Sequence, residues 1–383
     1  MSDVIVIGGG IVGASTAYTL VRAGAQVTLI DQLRPGQATA AGAGIISPGT
    51  STKSPRAFYP LAFHAVAYYE ELLSWLAEDG ETDTGYETVG LLHVATSDEE
   101  AARLPLLLHL FEERKAAGVK NMGEISLLGG RQAWSLFPAL GEIPGAIHTS
   151  GGARLNGRLM RNALRGAAQL RGARLVAIEG EATLTRENSR ILSVEADGQT
   201  FSADTIIIAA GAWSGQFAET LGVNLPVYPQ RGQILHLQGP EEAGQWPILM
   251  GFHSHYILTF PGGRVVAGAT REHAAGFDVR QTAAGVAEVL NEALRVAPGL
   301  ASTTLQEIRV GLRPATPDGL PILGQVPEIE NVLLATGHGA SGLQLGPYSG
   351  KLIADLALGK ESELDLTPFS ITRFQEQREA EEE

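Results

Sequence analysis

The chain contains no cysteine, which excludes disulfides, thiolate metal sites and iron–sulfur clusters. Positive charge is also in deficit: 28 Lys and Arg stand against 42 Asp and Glu, for a net charge of −14. A nucleic-acid partner needs a basic stripe that releases counterions from phosphates, and this balance argues against one. No uninterrupted apolar stretch reaches the length of a membrane span, about 18 residues or more. The N-terminus is apolar, yet Met1-Ser2-Asp3 carries no positive charge and glycines interrupt the run. A buried first strand and a cytoplasmic protein are therefore expected, not a secretory leader. The nine histidines show no ligand-like spacing, so no metal is expected. The polar tail, residues 375–383, reads as a solvated end.

What remains is ordinary globular material, with 44% hydrophobic and 18% charged residues in a 383-residue chain. That length favours two domains. The first informative motif is VIVIGGGIVG, from Val4 to Gly13. An apolar strand leads into Gly8, Gly10 and Gly13 at Gly-x-Gly-x-x-Gly spacing, and residues 11–23 can form a helix ended by Gly24. A second strand over 26–30 carries Asp31 at its tip. Gly8 permits the tight turn, Gly10 lets backbone approach a pyrophosphate, and Gly13 lets helix and strand pack closely. The helix start offers N–H groups to the phosphates, and Asp31 can accept from the hydroxyls of an adenosine ribose. A dinucleotide site follows, with NADP disfavoured by the carboxylate. Whether the ligand is NAD or FAD is left open by this motif.

Residues 36–52 are too rich in Gly, Ala and Pro for a regular element and are expected to pass beside a large flat group. Helices are predicted over 62–77, 99–117, 157–171, 283–296 and about 347–358. Trp134 and Phe137 read as packing residues, and His64 as a packed histidine. A strand is expected over 174–178, and an antiparallel meander over 181–202. It leads into ADTIIIAAGAWS, whose fully apolar strand ending in small residues has the look of a central parallel strand. Short strands over 227–237, 256–260 and 264–269 imply a second sheet. The segments GLRPATPDGLPILG (311–324) and ATGHGASGLQLGPYSGK (335–351) close the pattern.

In order and spacing these segments resemble the FAD-dependent amine and amino-acid oxidoreductases of the D-amino acid oxidase superfamily, which includes glycine oxidase, sarcosine oxidase and D-amino acid dehydrogenase. The resemblance covers nearly the whole chain. It implies an α/β fold: a discontinuous Rossmann-like FAD-binding domain (1–85, 145–222 and 312–383) with an inserted α+β substrate domain of mixed or antiparallel sheet (86–144 and 223–311). FAD would be noncovalent, since no cysteine can form a thioether to it. Asp31 departs from the family's more frequent glutamate, and should still reach the ribose. The cofactor residues implied are Gly8, Gly10, Ile11, Val12, Gly13, Asp31 and Gln32; Thr39, Ala43, Gly44 and Ile46; Val176; Ala210, Gly211 and Trp213; and Gly337, His338, Gly339, Ala340, Ser341 and Gly342.

The same resemblance places a substrate carboxylate on Arg313, and a planar guanidinium suits bidentate binding of that group. Tyr256 falls where a tyrosine hydroxyl meets the carboxylate. Ala340 stands where glycine oxidase has a second arginine, and Arg271 where that enzyme has a substrate-facing methionine. The implied reaction is oxidation at the Cα–N bond of a D-amino acid, glycine, sarcosine or proline-type substrate by hydride transfer to flavin N5, giving an imine that hydrolyses. Oxygen or a quinone would take the electrons. The competing readings are an NAD-linked dehydrogenase and a flavoprotein subunit without turnover of its own. The sequence leaves homo-oligomerisation open.

Overall fold

The computed structural model describes residues 2–53 and 55–375; the expected solvated tail lies, from 376 on, outside the described residues. A six-stranded sheet runs in the order Ile322–Gln325, Val332–Thr336, Thr205–Ile208, Asp3–Ile7, Gln26–Gln32, Arg174–Ile178. All neighbours are parallel except the first pair. The β-branched runs 4–7 and 206–208 are buried, as a parallel sheet covered on both faces requires. The helix Ile11–Arg22 is buried from Ile11 to Val21, between the helices Gly157–Leu170 and Gly342–Ala357. The meander Thr183–Glu187, Arg190–Ala196, Gln199–Phe201 forms its own small sheet.

The second large sheet has eight strands: Thr304–Ala315, Tyr228–Gln238, Arg264–Gly268, His255–Phe260, Ile248–Phe252, Leu91–Ala95, Gly145–Thr149, Ile125–Gly129. It is mixed, because Ile248–Phe252 pairs parallel to Leu91–Ala95 while the other neighbours are antiparallel. The seam expected at residue 145 is shifted by this sheet. Gly145–Thr149 pairs within it, so the chain leaves it only after Thr149. The Thr304–Ala315 strand likewise runs through the expected seam at 311–312.

Several elements depart from the expected pattern for local reasons. The helix expected over 99–117 is split into Asp98–Ala101, capped by the Ser97 hydroxyl, and Leu104–Ala116. Pro105 is tolerated only in a first turn, so the helix restarts there. Within 36–52 two helical turns, Ala38–Ala41 and Pro48–Thr50, and the two-residue strand Ile45–Ile46 interrupt the irregular path. Phe137 is buried, 4.7 Å from the Trp246 ring centroid, but Trp134 is 52% exposed and belongs to no core. His64 is exposed, stacked on Tyr348. No helix among the described residues is long and apolar enough to cross a membrane.

The last helix begins at Gly342, five residues before Pro347. A proline inside a helix cannot donate to the carbonyl four residues back, here that of Leu343. The buried Tyr69 hydroxyl, from the helix Phe58–Glu78, donates to that carbonyl instead. Replacing Tyr69→Phe therefore leaves a buried carbonyl without a donor. It should lower the unfolding free energy by about 1–2 kcal/mol, measured by urea denaturation; an unchanged midpoint and slope would remove the role given to this bond.

Candidate active site

The carboxyl ends of the parallel strands meet where the strand order reverses, the usual ligand crevice of an open α/β sheet. Gly8 has φ +106°, and a Cβ there would stand 2.4 Å from Ala209 O. One on Gly13 would stand 1.8 Å from Gly8 O. Both positions accept only glycine, and so the helix Ile11–Arg22 starts directly over the strand end. Its first-turn N–H groups face the crevice, where a helix lacks partners of its own. The Thr39 hydroxyl takes that of Ile11 at 3.0 Å. Asp31 is buried in the same wall, with Oδ1 accepting from Gly9 N–H at 2.8 Å and Oδ2 paired with Arg165 Nη1 at 2.6 Å.

A single continuous cavity runs from this turn to the eight-stranded sheet. Of the expected cofactor residues, Gly8, Gly10, Ile11, Val12, Asp31, Gln32, Thr39, Ala43, Gly44, Ala210, Gly211, Trp213, His338, Gly339, Ala340 and Gly342 line it. Five do not. Gly13 lies behind the turn, against Gly8, and Ile46 is in the core. Val176 pairs with Ile30 on the edge strand and packs into the sheet's apolar layer. Gly337 backs onto Thr316, and the Ser341 hydroxyl is taken by the Lys53 ammonium. These residues shape the wall from behind.

At the far end, Arg313, Tyr256 and Arg271 line the cavity together. Arg313 Nη1 donates to Gln230 Oε1 at 3.0 Å and to Thr270 O at 2.9 Å. Its guanidinium lies over Gly232, where a Cβ would come within 2.4 Å of Nη2. Tyr256 lies over Gly268, where a Cβ would come within 2.5 Å of the phenol oxygen. The two glycines belong to the strands between those carrying Arg313 and Tyr256, so both side chains lean inward over bare backbone toward each other. Burial raises the Tyr256 phenol above its ordinary pKa, although the positive charge of Arg313 and Arg271 acts in the opposite direction. It therefore stays a proton donor at neutral pH. Burial lowers the Arg313 guanidinium from its ordinary value, yet a guanidinium remains cationic in a protein.

His338 is buried, with Nε2 unpartnered, and burial pulls its pKa down to about 4. It is neutral in the physiological range. A buried imidazole nitrogen without a partner among the described residues, at a cavity that also holds a glycine turn and a buried carboxylate, fits a large polar cofactor. The first turn of Gly342–Ala357 supplies further N–H groups there.

Three comparisons agree with this geometry. The family model described as FAD dependent oxidoreductase matches residues 3–356. The chain belongs to that family. It is 43% identical over 371 residues to the uncharacterized oxidoreductase YurR of Bacillus subtilis strain 168, covering 96% of this chain and 98% of YurR. It is 31% identical to glycine oxidase of Geobacillus kaustophilus strain HTA426, with 97% of each chain covered. The crystal structure of iminodiacetate oxidase from Chelativorans sp. BNC1 superposes with a TM-score of 0.91 at 42% identity, covering 96% of this chain and 98% of that one. The FAD-dependent enzyme of the sequence reading stands, and the NAD-linked alternative falls.

Sequence reasoning missed Arg165, Arg34, Gln37, Gly42 and Lys53 around the cavity. Arg165 had a readable signal: with Arg161 it forms a cationic i, i+4 pair on a helix whose other face is apolar. Lys53 had none, because its contact with Ser341 spans most of the chain. For Asp31, replacement by alanine should give protein that purifies largely free of flavin, read from the visible absorbance. Full FAD occupancy in that variant would exclude the ribose role.

Proposed function

We propose that the enzyme oxidises the Cα–N bond of a small α-amino acid or secondary amine whose carboxylate rests on Arg313 and Tyr256. The observation that carries this reading is the pair itself: a guanidinium and a protonated phenol, leaned together over Gly232 and Gly268 in the cavity that Gly339 and Ala340 also line. Two neighbouring donors of this kind match the two oxygens of one carboxylate. The names of the relatives, glycine oxidase and iminodiacetate oxidase, support the same chemistry, since glycine and iminodiacetate are both small amines bearing carboxylate.

The cofactor residues fit FAD, with Asp31 and the turn 8–10 at the adenosine end and the turn 338–342 at the other. When bound, FAD supplies the two-electron acceptor. The chain's own residues supply position. Arg313, held by Gln230 and Thr270, fixes the carboxylate, and Tyr256 donates to it. The amine must be neutral to release hydride from Cα, because an ammonium has no lone pair to support the developing C=N bond. Loss of that hydride and of the nitrogen's proton leaves an imine, which water cleaves to an oxo acid and the freed amine. No aspartate or glutamate lines this end of the cavity, so orientation and the electrostatics of the donor groups carry the rate.

Arg313→Ala should leave FAD bound and weaken the substrate strongly. Removing one member of a buried charge pair costs about 3 kcal/mol or more. A rise of a hundredfold or more is expected in the concentration of amino acid that half-bleaches the flavin anaerobically. An unchanged concentration would overturn the role of Arg313, and a protein that no amino acid or secondary amine bleaches would overturn the reading as a whole.

A further inference from the structure

Gly9 is a glycine that the Gly-x-Gly-x-x-Gly spacing does not ask for. What it admits is an ion pair. A Cβ there would stand 2.6 Å from Asp31 Oδ2 and 2.7 Å from Arg165 Nη1, so the carboxylate and the guanidinium meet over its bare backbone. Arg165 reaches this point from the helix Gly157–Leu170, and its Nη1 lies 2.6 Å from Asp31 Oδ2. Both side chains are largely buried, at 20% and 5% exposure. Among the described residues Arg165 makes no other ion pair or hydrogen bond. Its helix neighbour Arg161 turns elsewhere, to Gln37 Oε1 at 3.1 Å and Asn162 Oδ1 at 3.3 Å.

The pair changes what Asp31 can offer to a ligand. An ionised carboxylate has about four acceptor sites, two on each oxygen. Gly9 N–H takes one on Oδ1, at 2.8 Å, and Arg165 takes one on Oδ2. One site is left on each oxygen, and Asp31 lines the cavity. Two acceptors on a group that cannot rotate, because separate elements hold its two oxygens, suit the two vicinal hydroxyls of a ribose. Charge matters as much. Asp31 stands beside a glycine turn and a helix start that suit a pyrophosphate, which a lone carboxylate would repel. Arg165 offsets that charge and leaves the acceptors in place.

We propose that Arg165 is a positioning residue for the adenosine end of FAD. It fixes the Asp31 carboxylate for the ribose hydroxyls and neutralises it beside the pyrophosphate, and Gly9 keeps the place of contact open. The inference rests on the reading that Asp31 binds the ribose. Arg165 is not among the residues that line the cavity, and so it acts through Asp31 and not by touching the cofactor.

The test is a double-mutant cycle on FAD affinity. Each protein is saturated with FAD and diluted, and the fluorescence of the released flavin gives the dissociation constant. Arg165→Met, which keeps the apolar stem and removes the charge, should weaken FAD by about tenfold or more, since it leaves a buried carboxylate uncompensated. Arg165→Lys should recover part of the loss, because it restores charge without the planar fork. Where Arg165→Met does not fold, Arg165→Gln takes its place in the cycle. Added to Asp31→Ala, loss of Arg165 should cost nothing more, a result that a merely structural arginine would not give. If Arg165→Met holds FAD as tightly as the parent while Asp31→Ala releases it, the role of Arg165 falls and the ribose reading of Asp31 stands. Equal weakening with and without Asp31 would also overturn the role, since Arg165 would then not act through that carboxylate. If Asp31→Ala itself holds FAD as tightly as the parent, both readings fall.

Discussion

The close approach of backbone at Gly8 and Gly13 is the constraint on which the rest of this structure depends. The helix Ile11–Arg22 can start over the end of its strand only because no side chain separates Gly13 from Gly8 O, or Gly8 from Ala209 O. That contact sets the depth of the crevice and aims the helix N-terminus into it. It also buries the helix so completely that two further helices must cover it, and the fit among them depends on small details such as the Tyr69 hydroxyl standing in for the N–H that Pro347 lacks. A methyl group at Gly13 would move the helix, and with it the N–H groups, Thr39 and the wall they share.

The far end of the cavity uses the same device in a different element. Strands in an antiparallel sheet normally send their side chains straight out from its face, which would leave Arg313 and Tyr256 apart, with two strands between them. Gly232 and Gly268 remove the side chains that would stand between them. The guanidinium and phenol can then lie down over the sheet and converge. Glycine thus serves both ends of one cavity, once by admitting backbone to backbone and once by admitting functional side chains to backbone.

The parts of this design that repeat locally were legible in the sequence. The strand–turn–helix at 4–23, the apolar strand at 206–208 and the order of the motifs gave the six-stranded sheet and most of the expected residues that line the cavity, because each rests on periodicity or on fixed spacing. What was hidden depends on partners far apart in the chain. Nothing near Asp31 announces that Arg165 pairs with it, and nothing near Pro347 announces the Tyr69 hydroxyl that lets the helix start earlier. Val176 and Ile46 were expected at the cofactor and do not line the cavity, since spacing shows which strand a residue occupies but not which face it presents. Trp134 shows the opposite limit: aromatic character suggested core, and the short helix that carries it turns it outward.

Electrostatics then separates the site from its setting. With a net charge of −14, the chain as a whole repels anions, and at physiological ionic strength that repulsion is screened beyond about 8 Å. Inside the cavity the balance is reversed. Arg313 and Arg271 line its far end and act at short range, where protein displaces screening water and each charge counts for more. Attraction of an anion would therefore arise within the cavity and not from a distance. Gln230, Thr270 and Ser254 bind these two cations through uncharged oxygens. Neutral acceptors orient the donors without cancelling their charge. A carboxylate in any of those places would have formed an internal ion pair and neutralised this end of the cavity.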